Sequence, residues 1–163
     1  MSTLYIMVGI PGSGKSYIAK QIAKNICCTI VSRDTIRFSF LNKEDEYFTK
    51  EKEVFKEYIN EIQYYLDNGE IVIADATHLN QRSRYKLLSA LMLRDDDYVV
   101  PLVINTSLET CLKRNTQRTG RNRVPQSIIK SMFDTLTDPA DDWDTLKEKY
   151  YDILYINNEE DEA

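Results

Sequence analysis

Two hydrophobic spacings alternate along this chain. Thr3–Val8 (TLYIMV) is a continuous apolar run rich in strand formers, and after a glycine-bearing stretch SYIAKQIAKNI places Ile18, Ala19, Ile22 and Ala23 at helical spacing. A second short strand is predicted at Thr29–Val31. From Glu44 to Asn68, Phe48, Phe55, Tyr58, Ile59, Ile62, Tyr65 and Leu66 trace one long helix, stopped by Gly69. Ile71–Ala74 (IVIA) is apolar at every position, as in a strand buried on both faces. A helix from about Gln81 to Leu93 and a strand at Tyr98–Ile104 follow, and Pro101 within that strand points to a sheet edge or a local bulge. Ser107 opens a helix to about Asn115, Pro125 suits the first turn of another reaching about Leu136, and Asp152–Ile156 is the last strand. Strands alternating with helices predict an α/β fold, with a mostly parallel central sheet of about five strands flanked by helices.

Nothing divides this pattern into repeats or separate units, so residues 1–157 read as one domain. The acidic ending, residues 158–163, reads as a solvated, disordered tail. The net charge is -5, yet residues 138–163 hold ten acids and two lysines, so the rest of the chain is slightly basic. The dense basic stretch is Lys113–Arg123 (KRNTQRTGRNR), with five bases and no acid. The overall charge therefore excludes no anionic substrate. Cys27, Cys28 and Cys111 are odd in number and lack metal-ligand spacing, so buried reduced thiols are expected rather than zinc or disulfides. No run approaches the ~20 apolar residues of a membrane span and no signal segment opens the chain, which gives a cytoplasmic expectation with no membrane partner.

Candidate chemistry starts with Gly9-Ile-Pro-Gly-Ser-Gly-Lys-Ser16, which fits G-x-x-x-x-G-K-[ST] between a strand and a helix. Gly9, Pro11, Gly12, Ser13 and Gly14 would let successive N–H groups converge on phosphate oxygens, at the positive end of the following helix. Lys15 would reach the β- and γ-phosphates of ATP, and Ser16 would place its hydroxyl on Mg²⁺. The second strand then delivers Asp34 and Arg37 at the carboxyl edge of the sheet, three residues apart on one helical face. A carboxylate there can accept a proton from an attacking hydroxyl, and an arginine beside it can hold a second, non-reacting phosphate in bidentate geometry. The plainer alternative is a first-turn acid that complements the helix dipole and pairs with Arg37. The third strand ends in Asp75-Ala-Thr-His-Leu-Asn80 at the same edge. Asp75 would order magnesium through water, and Thr77 and His78 would form wall or substrate contacts rather than supply the base. Arg118, Arg121 and Arg123, between two helices, suit a mobile lid over the triphosphate.

In this order GIPGSGKS, SRDTIR, DEYFTKEKE, DATHLN and KRN-x-x-R…VP, spanning about residues 3–136, resemble the kinase domain of phage-type 5′-hydroxyl polynucleotide kinases, members of the P-loop kinase superfamily. The resemblance implies a single P-loop kinase domain with an arginine-bearing lid. It implies Lys15 and Ser16 at the triphosphate and magnesium, Asp34 as general base on a 5′-hydroxyl, Arg37 on the acceptor's 3′-side phosphate, and Arg118 on the donor phosphates. The acceptor is then a nucleic acid 5′-OH end in a bacterial or phage-infected cell. The chain departs from that family in leaving no room for a 3′-phosphatase, in carrying His78 where relatives often show asparagine, and in a lid lengthened by Gly120. Its final helix and strand, with Trp143, look more like the wider group of small bacterial P-loop kinases. Two other readings stay open on the same residues: a kinase of a small molecule or nucleotide sugar, and a nucleotide-dependent switch in which Asp34 merely caps a helix.

Overall fold

The computed structural model describes residues 2–159. Its five strands are β1 (Thr3–Val8), β2 (Thr29–Ser32), β3 (Ile71–Asp75), β4 (Tyr98–Asn105) and β5 (Leu154–Asn157), all parallel in the order β2-β3-β1-β4-β5. The helices are α1 (Lys15–Asn25), α2 (Arg33–Phe40), α3 (Glu51–Asp67), α4 (Gln81–Ala90), α5 (Leu108–Thr116), α6 (Gln126–Thr135) and the short α7 (Asp144–Lys147). Each strand of a parallel sheet must return through a crossover, and the helices that make those crossovers cover both faces.

Alternate residues of the interior strands feed two cores. Leu4, Ile6, Val72 and Ala74 pack with Val54, Tyr58, Ile62 and Leu66 of α3 and Leu87 and Leu88 of α4. Met7, Ile73, Leu102 and Ile104 face the other way and pack with Ala19 of α1. A third cluster of Ile10, Cys111 and Ile129, with Leu112, Val124 and Met132 against it, ties the loop after β1 to α5 and α6. Since β1 and β3 are central, the loops that follow them emerge side by side at the carboxyl edge, where open α/β sheets hold ligands.

Several boundaries differ from the sequence expectations. The long helix begins at Glu51, not Glu44, because residues 42–50 form turns. There Asp45 accepts from Asn42 N–H at 2.8 Å, and Tyr47 and Phe48 pack edge to face beside α2. The helix after β3 ends at Ala90 rather than Leu93, and the last strand starts at Leu154 rather than Asp152. Pro101 lies in an interior strand in unbroken register with Ile6, so it marks neither an edge nor a bulge. Val99 and Asn105 turn their carbonyls away from β1, accepting from Tyr151 N–H at 2.8 Å and Asn158 N–H at 2.9 Å. Pro101 shares that direction, and pairing with β5 starts only at Leu102, so its missing N–H costs no ladder bond.

Of the three thiols expected to be buried, Cys111 is, Cys28 is half-buried and Cys27 is exposed, and all three are free. Of the tail expected at 158–163, Asn158 and Glu159 are bonded to the folded unit. Asn158 donates its side-chain amide to Ser13 O at 2.8 Å, and Glu159 accepts from Ser107 and from Thr110 Oγ1 at 2.9 Å. Residues 160–163 lie outside the described residues. No helix among the described residues is long and apolar enough to cross a membrane.

Candidate active site

The loop between β1 and α1 is shaped by glycines and held from behind. Gly12 and Gly14 take φ of +88° and +96°, the left-handed region, and a Cβ on Gly12 would lie 2.5 Å from Cys111 O. Gly9 N–H donates to Thr77 O at 3.1 Å, which ties this loop to the one after β3. The Ser13 carbonyl accepts from Thr106 Oγ1 at 2.9 Å, Asn158 Nδ2 at 2.8 Å and Arg114 Nη1 at 3.3 Å. With that carbonyl turned to the back of the loop, the front face keeps its N–H groups for a ligand.

Lys15 donates Nζ to Ile10 O at 3.0 Å. Burial lowers the pKa of its amine, while the carboxylates of Asp75 and Asp34 act to raise it. Ser16 Oγ donates to Asp75 Oδ2 at 2.8 Å. Burial raises the Asp75 carboxyl above its usual range, with Lys15 and Ser16 opposing. A buried amine and a pair of hard oxygen donors within one cradle fit a triphosphate and a divalent cation of the Mg²⁺ type.

Across the cleft, Ser32 caps α2 by accepting from Thr35 N–H at 3.2 Å, which places Asp34 in the first turn and Arg37 one turn on. Asp34 Oδ1 accepts from both Arg37 Nη1 and Tyr47 Oη, while Oδ2 carries no hydrogen bond among the described residues. The Asp34 side chain is 61 % exposed. Arg37 is buried, and its Nε and Nη2 close on Glu51, the latter at 3.0 Å. The fork expected to grip a second phosphate is therefore occupied by a carboxylate, and Nη1 donates both to Asp34 Oδ1 and to Tyr47 Oη, the latter at 2.9 Å. Burial, then the charge and hydrogen bond of Asp34, push the Tyr47 hydroxyl well up, so it remains a donor. Burial alone would raise the Glu51 carboxyl, but Arg37 and Arg33 outweigh it and lower it.

These groups line a single cleft of about 670 Å³ that includes Pro11, Gly12, Gly14, Lys15, Ser16, Asp34, Arg37, Asp75, Thr77, Arg118 and Arg121. Gly9 and Ser13 shape the loop from behind rather than line it. Arg118 donates to Asn122 O at a long 3.5 Å, whereas Arg121 clasps the facing turn through Asn42 O and Asp45 O.

Two expected contacts are not made. Arg123 lies outside this cleft, in grooves beside Val124 and Pro125, because the backbone turns outward after a single 3₁₀ turn at Gly120–Asn122. His78, expected as wall or substrate contact, is not part of the cleft lining. It is buried, with φ of 40°, and bonds Met7 O through Nδ1 at 2.6 Å and Tyr58 Oη through Nε2 at 3.1 Å. Since Met7 O can only accept, Nδ1 carries the proton, and burial pushes the imidazole pKa down to about 3.

Four residues of the arrangement escaped the sequence reading: Glu51 and Tyr47, which fix Arg37 and Asp34, Arg114, which braces the loop, and Asn115. The last is buried and pins the lid's far end through Val124 N–H at 3.0 Å and Val124 O at 2.7 Å. Tyr47 and Glu51 fell within the segment read as uniform helix, so their facing toward Arg37 had no periodic signal. Arg114 and Asn115 lay within the dense basic stretch, where nothing but position sets them apart.

A family profile described as AAA domain matches residues 4–139. A protein of Autographa californica nuclear polyhedrosis virus, provisionally named a bifunctional polynucleotide kinase/RNA ligase, is 27% identical over 143 residues, covering 80% of this chain and 20% of its own length. A chain in the structure of a Pnkp1/Rnl/Hen1 RNA repair complex superposes with a TM-score of 0.72 at 26% identity, covering 91% of this chain and 46% of that one. A sugar kinase from Janibacter sp. HTCC2649 superposes at 0.66 with 18% identity, covering 96% and 86%, which is likeness of fold alone. The chain thus spans a fifth of the viral relative and under half of the repair-complex chain.

Proposed function

The chain belongs to the AAA domain family, and from that premise we propose that this P-loop kinase transfers the γ-phosphate of ATP to the 5′-hydroxyl end of a polynucleotide, with Asp34 as general base. The observation that carries the reading is Asp34 itself. One carboxylate oxygen is fixed by Arg37 and Tyr47, the other has no hydrogen bond among the described residues, and Asp34 lines the same cleft as Lys15, Ser16 and Asp75. The viral relative named for polynucleotide kinase activity and the chain from an RNA repair complex support the acceptor class.

In this mechanism the N–H groups of Gly12, Gly14, Lys15 and Ser16, which line the cleft, and the Lys15 amine hold the triphosphate. Ser16 and Asp75 would hold Mg²⁺, which would neutralise charge on the phosphate oxygens. Asp34 Oδ2 accepts the proton of the 5′-hydroxyl as its oxygen forms a bond to the γ-phosphorus and the bond from that phosphorus to the ADP oxygen breaks. Arg118, from the lid, offsets the charge that develops as the phosphoryl group leaves. Arg37 holds Asp34 in place, and its Nη1, shared between Asp34 and Tyr47 Oη, would reach the phosphate on the 3′ side of the acceptor by exchanging one of those two bonds. The lid contact of Arg121 with the 42–45 turn keeps that wall closed over the acceptor side.

Acceptor competition tests this. A nucleoside 3′-monophosphate should outperform the bare nucleoside by about ten- to a hundred-fold in kcat/KM, the worth of one charge-assisted hydrogen bond to phosphate. Equal use of both, or preference for a simple sugar, would refute a polynucleotide acceptor while leaving the kinase intact.

A further inference from the structure

One surface beside the cleft is not used by the reaction described. Arg33 lines the cleft, donates Nη2 to Glu51 Oε2 at 3.0 Å, and stands with its guanidinium 5.4 Å from the Phe55 ring centre. Its buried Nε has no hydrogen-bond partner among the described residues. Lys86, on α4 and outside the cleft, holds Nζ 4.4 Å from the centre of the same ring. Phe55 thus joins a cation inside the cleft to a cation on the outer surface. Lys86 is exposed and pairs with no carboxylate among the described residues, and the same holds for Arg82 one turn earlier on α4 and for Lys52 one turn earlier than Phe55 on α3. The carboxylate at the head of this ridge, Glu51, is already spent on Arg33 and Arg37.

We propose that the ridge between α3 and α4 binds the phosphates of the acceptor chain downstream of its 5′ end, with Lys86, joined through Phe55 to Arg33 in the cleft, as the first contact outside it. This rests on the reading of the cleft as a polynucleotide acceptor site and extends it from the terminal nucleotide to the chain behind it. Charge complementarity commits the ridge to a polyanion, and its continuity with the cleft through Arg33 commits that polyanion to the substrate's own backbone. A backbone held this way is read without regard to base sequence, and its hold weakens with salt as counterions compete.

Steady-state transfer to a nucleoside 3′-monophosphate and to a 5′-hydroxyl hexanucleotide, each with wild type and Lys86 variants, decides it. The wild type should show a lower KM for the hexanucleotide. Lys86→Met keeps the aliphatic stem over Phe55 but loses the charge. It should raise the hexanucleotide KM about three- to five-fold, as expected for one exposed ion pair, leaving kcat and the monophosphate values unchanged. Lys86→Arg should restore the KM. The salt dependence of the hexanucleotide KM should flatten by roughly 0.7 in log–log slope for the lost phosphate contact. Equal KM for both acceptors in the wild type, an unchanged hexanucleotide KM in Lys86→Met, or equal losses on both acceptors would overturn the ridge and leave the cleft reading standing. A wild type that phosphorylates neither acceptor would overturn the cleft reading, and the ridge with it.

Discussion

Asp34 and Arg37 were visible in the sequence as an acid and a base one helical turn apart, and their placement at the sheet's carboxyl edge followed from the strand before them. What they do to each other was not visible, because the deciding partners come from elsewhere. Tyr47 sits in a turn, and Glu51 opens the next helix. With its Nε and Nη2 on Glu51, Arg37 braces Asp34, the proposed base, as well as being the proposed contact for substrate. Two expectations at this scale follow. Asp34→Asn keeps the hydrogen bonds from Arg37 and Tyr47 in reach but cannot take a proton. Its kcat should fall about 10²–10⁴-fold with ATP affinity retained, and an unchanged kcat would reduce Asp34 to a helix-start acid. Arg37→Ala should lower kcat on the bare nucleoside too, rather than only erase the preference for a 3′-phosphate, since it frees Asp34 from a partner. Measuring both acceptors with that variant separates bracing from phosphate contact.

At the scale of elements, the strands and the glycine loop were legible because continuous apolar runs and left-handed glycines leave strong local signals. The turn at residues 42–50 was not, since Phe48 keeps helical spacing with Phe55 while packing instead on Tyr47. His78 was misread for a related reason: a histidine at a strand end looks like chemistry, and only burial shows that it joins the loop after β3 to β1 and α3. The folded imidazole stays neutral down to about pH 3, whereas in the unfolded chain it takes a proton near its ordinary 6.5. The unfolded state therefore binds more protons across that window. This contribution to stability is full above about pH 6.5 and is lost as pH falls toward 3, at up to about 1.36 kcal/mol per pH unit. Asparagine tolerates the positive φ, so His78→Asn should flatten the loss measured by denaturant unfolding between pH 6.5 and 4. A wild-type curve already flat there would contradict the buried neutral imidazole. Arg84 and Asp142 form a second hidden tie, with side chains 0 % and 1 % exposed, joining α4 to the segment before α7. Arg84 also donates Nη1 to His78 O at 2.8 Å, and Tyr150 donates its hydroxyl to Asp142 at 2.6 Å. Asp142→Ala strands a buried guanidinium and should cost about 3–5 kcal/mol in unfolding free energy. A loss under about 1 kcal/mol would mean the pair is dispensable.

For the molecule as a whole, alternation of strands and helices was enough for a parallel sheet with its candidate site at the carboxyl edge, and the glycine motif was enough to place the loop between β1 and α1 in that site. The path of the lid was not, because Arg118, Arg121 and Arg123 look alike in sequence. The 3₁₀ turn at Gly120–Asn122 separates them: Arg118 and Arg121 line the cleft and Arg123, just after the turn, does not. Arg118→Ala should therefore slow transfer far more than Arg123→Ala, and comparable losses would mean the lid rearranges on closing. The fold is shared with a sugar kinase, so the acceptor is the claim on which the account stands or falls. The most direct measurement is to incubate the protein with γ-labelled ATP, Mg²⁺ and a 5′-hydroxyl oligonucleotide, then digest the product to mononucleotides and find where the label sits. The account predicts label in the 5′-terminal nucleotide as its 5′-phosphate, abolished by Asp34→Asn. Label left in ATP, released as inorganic phosphate, or carried only by added sugar acceptors would contradict it.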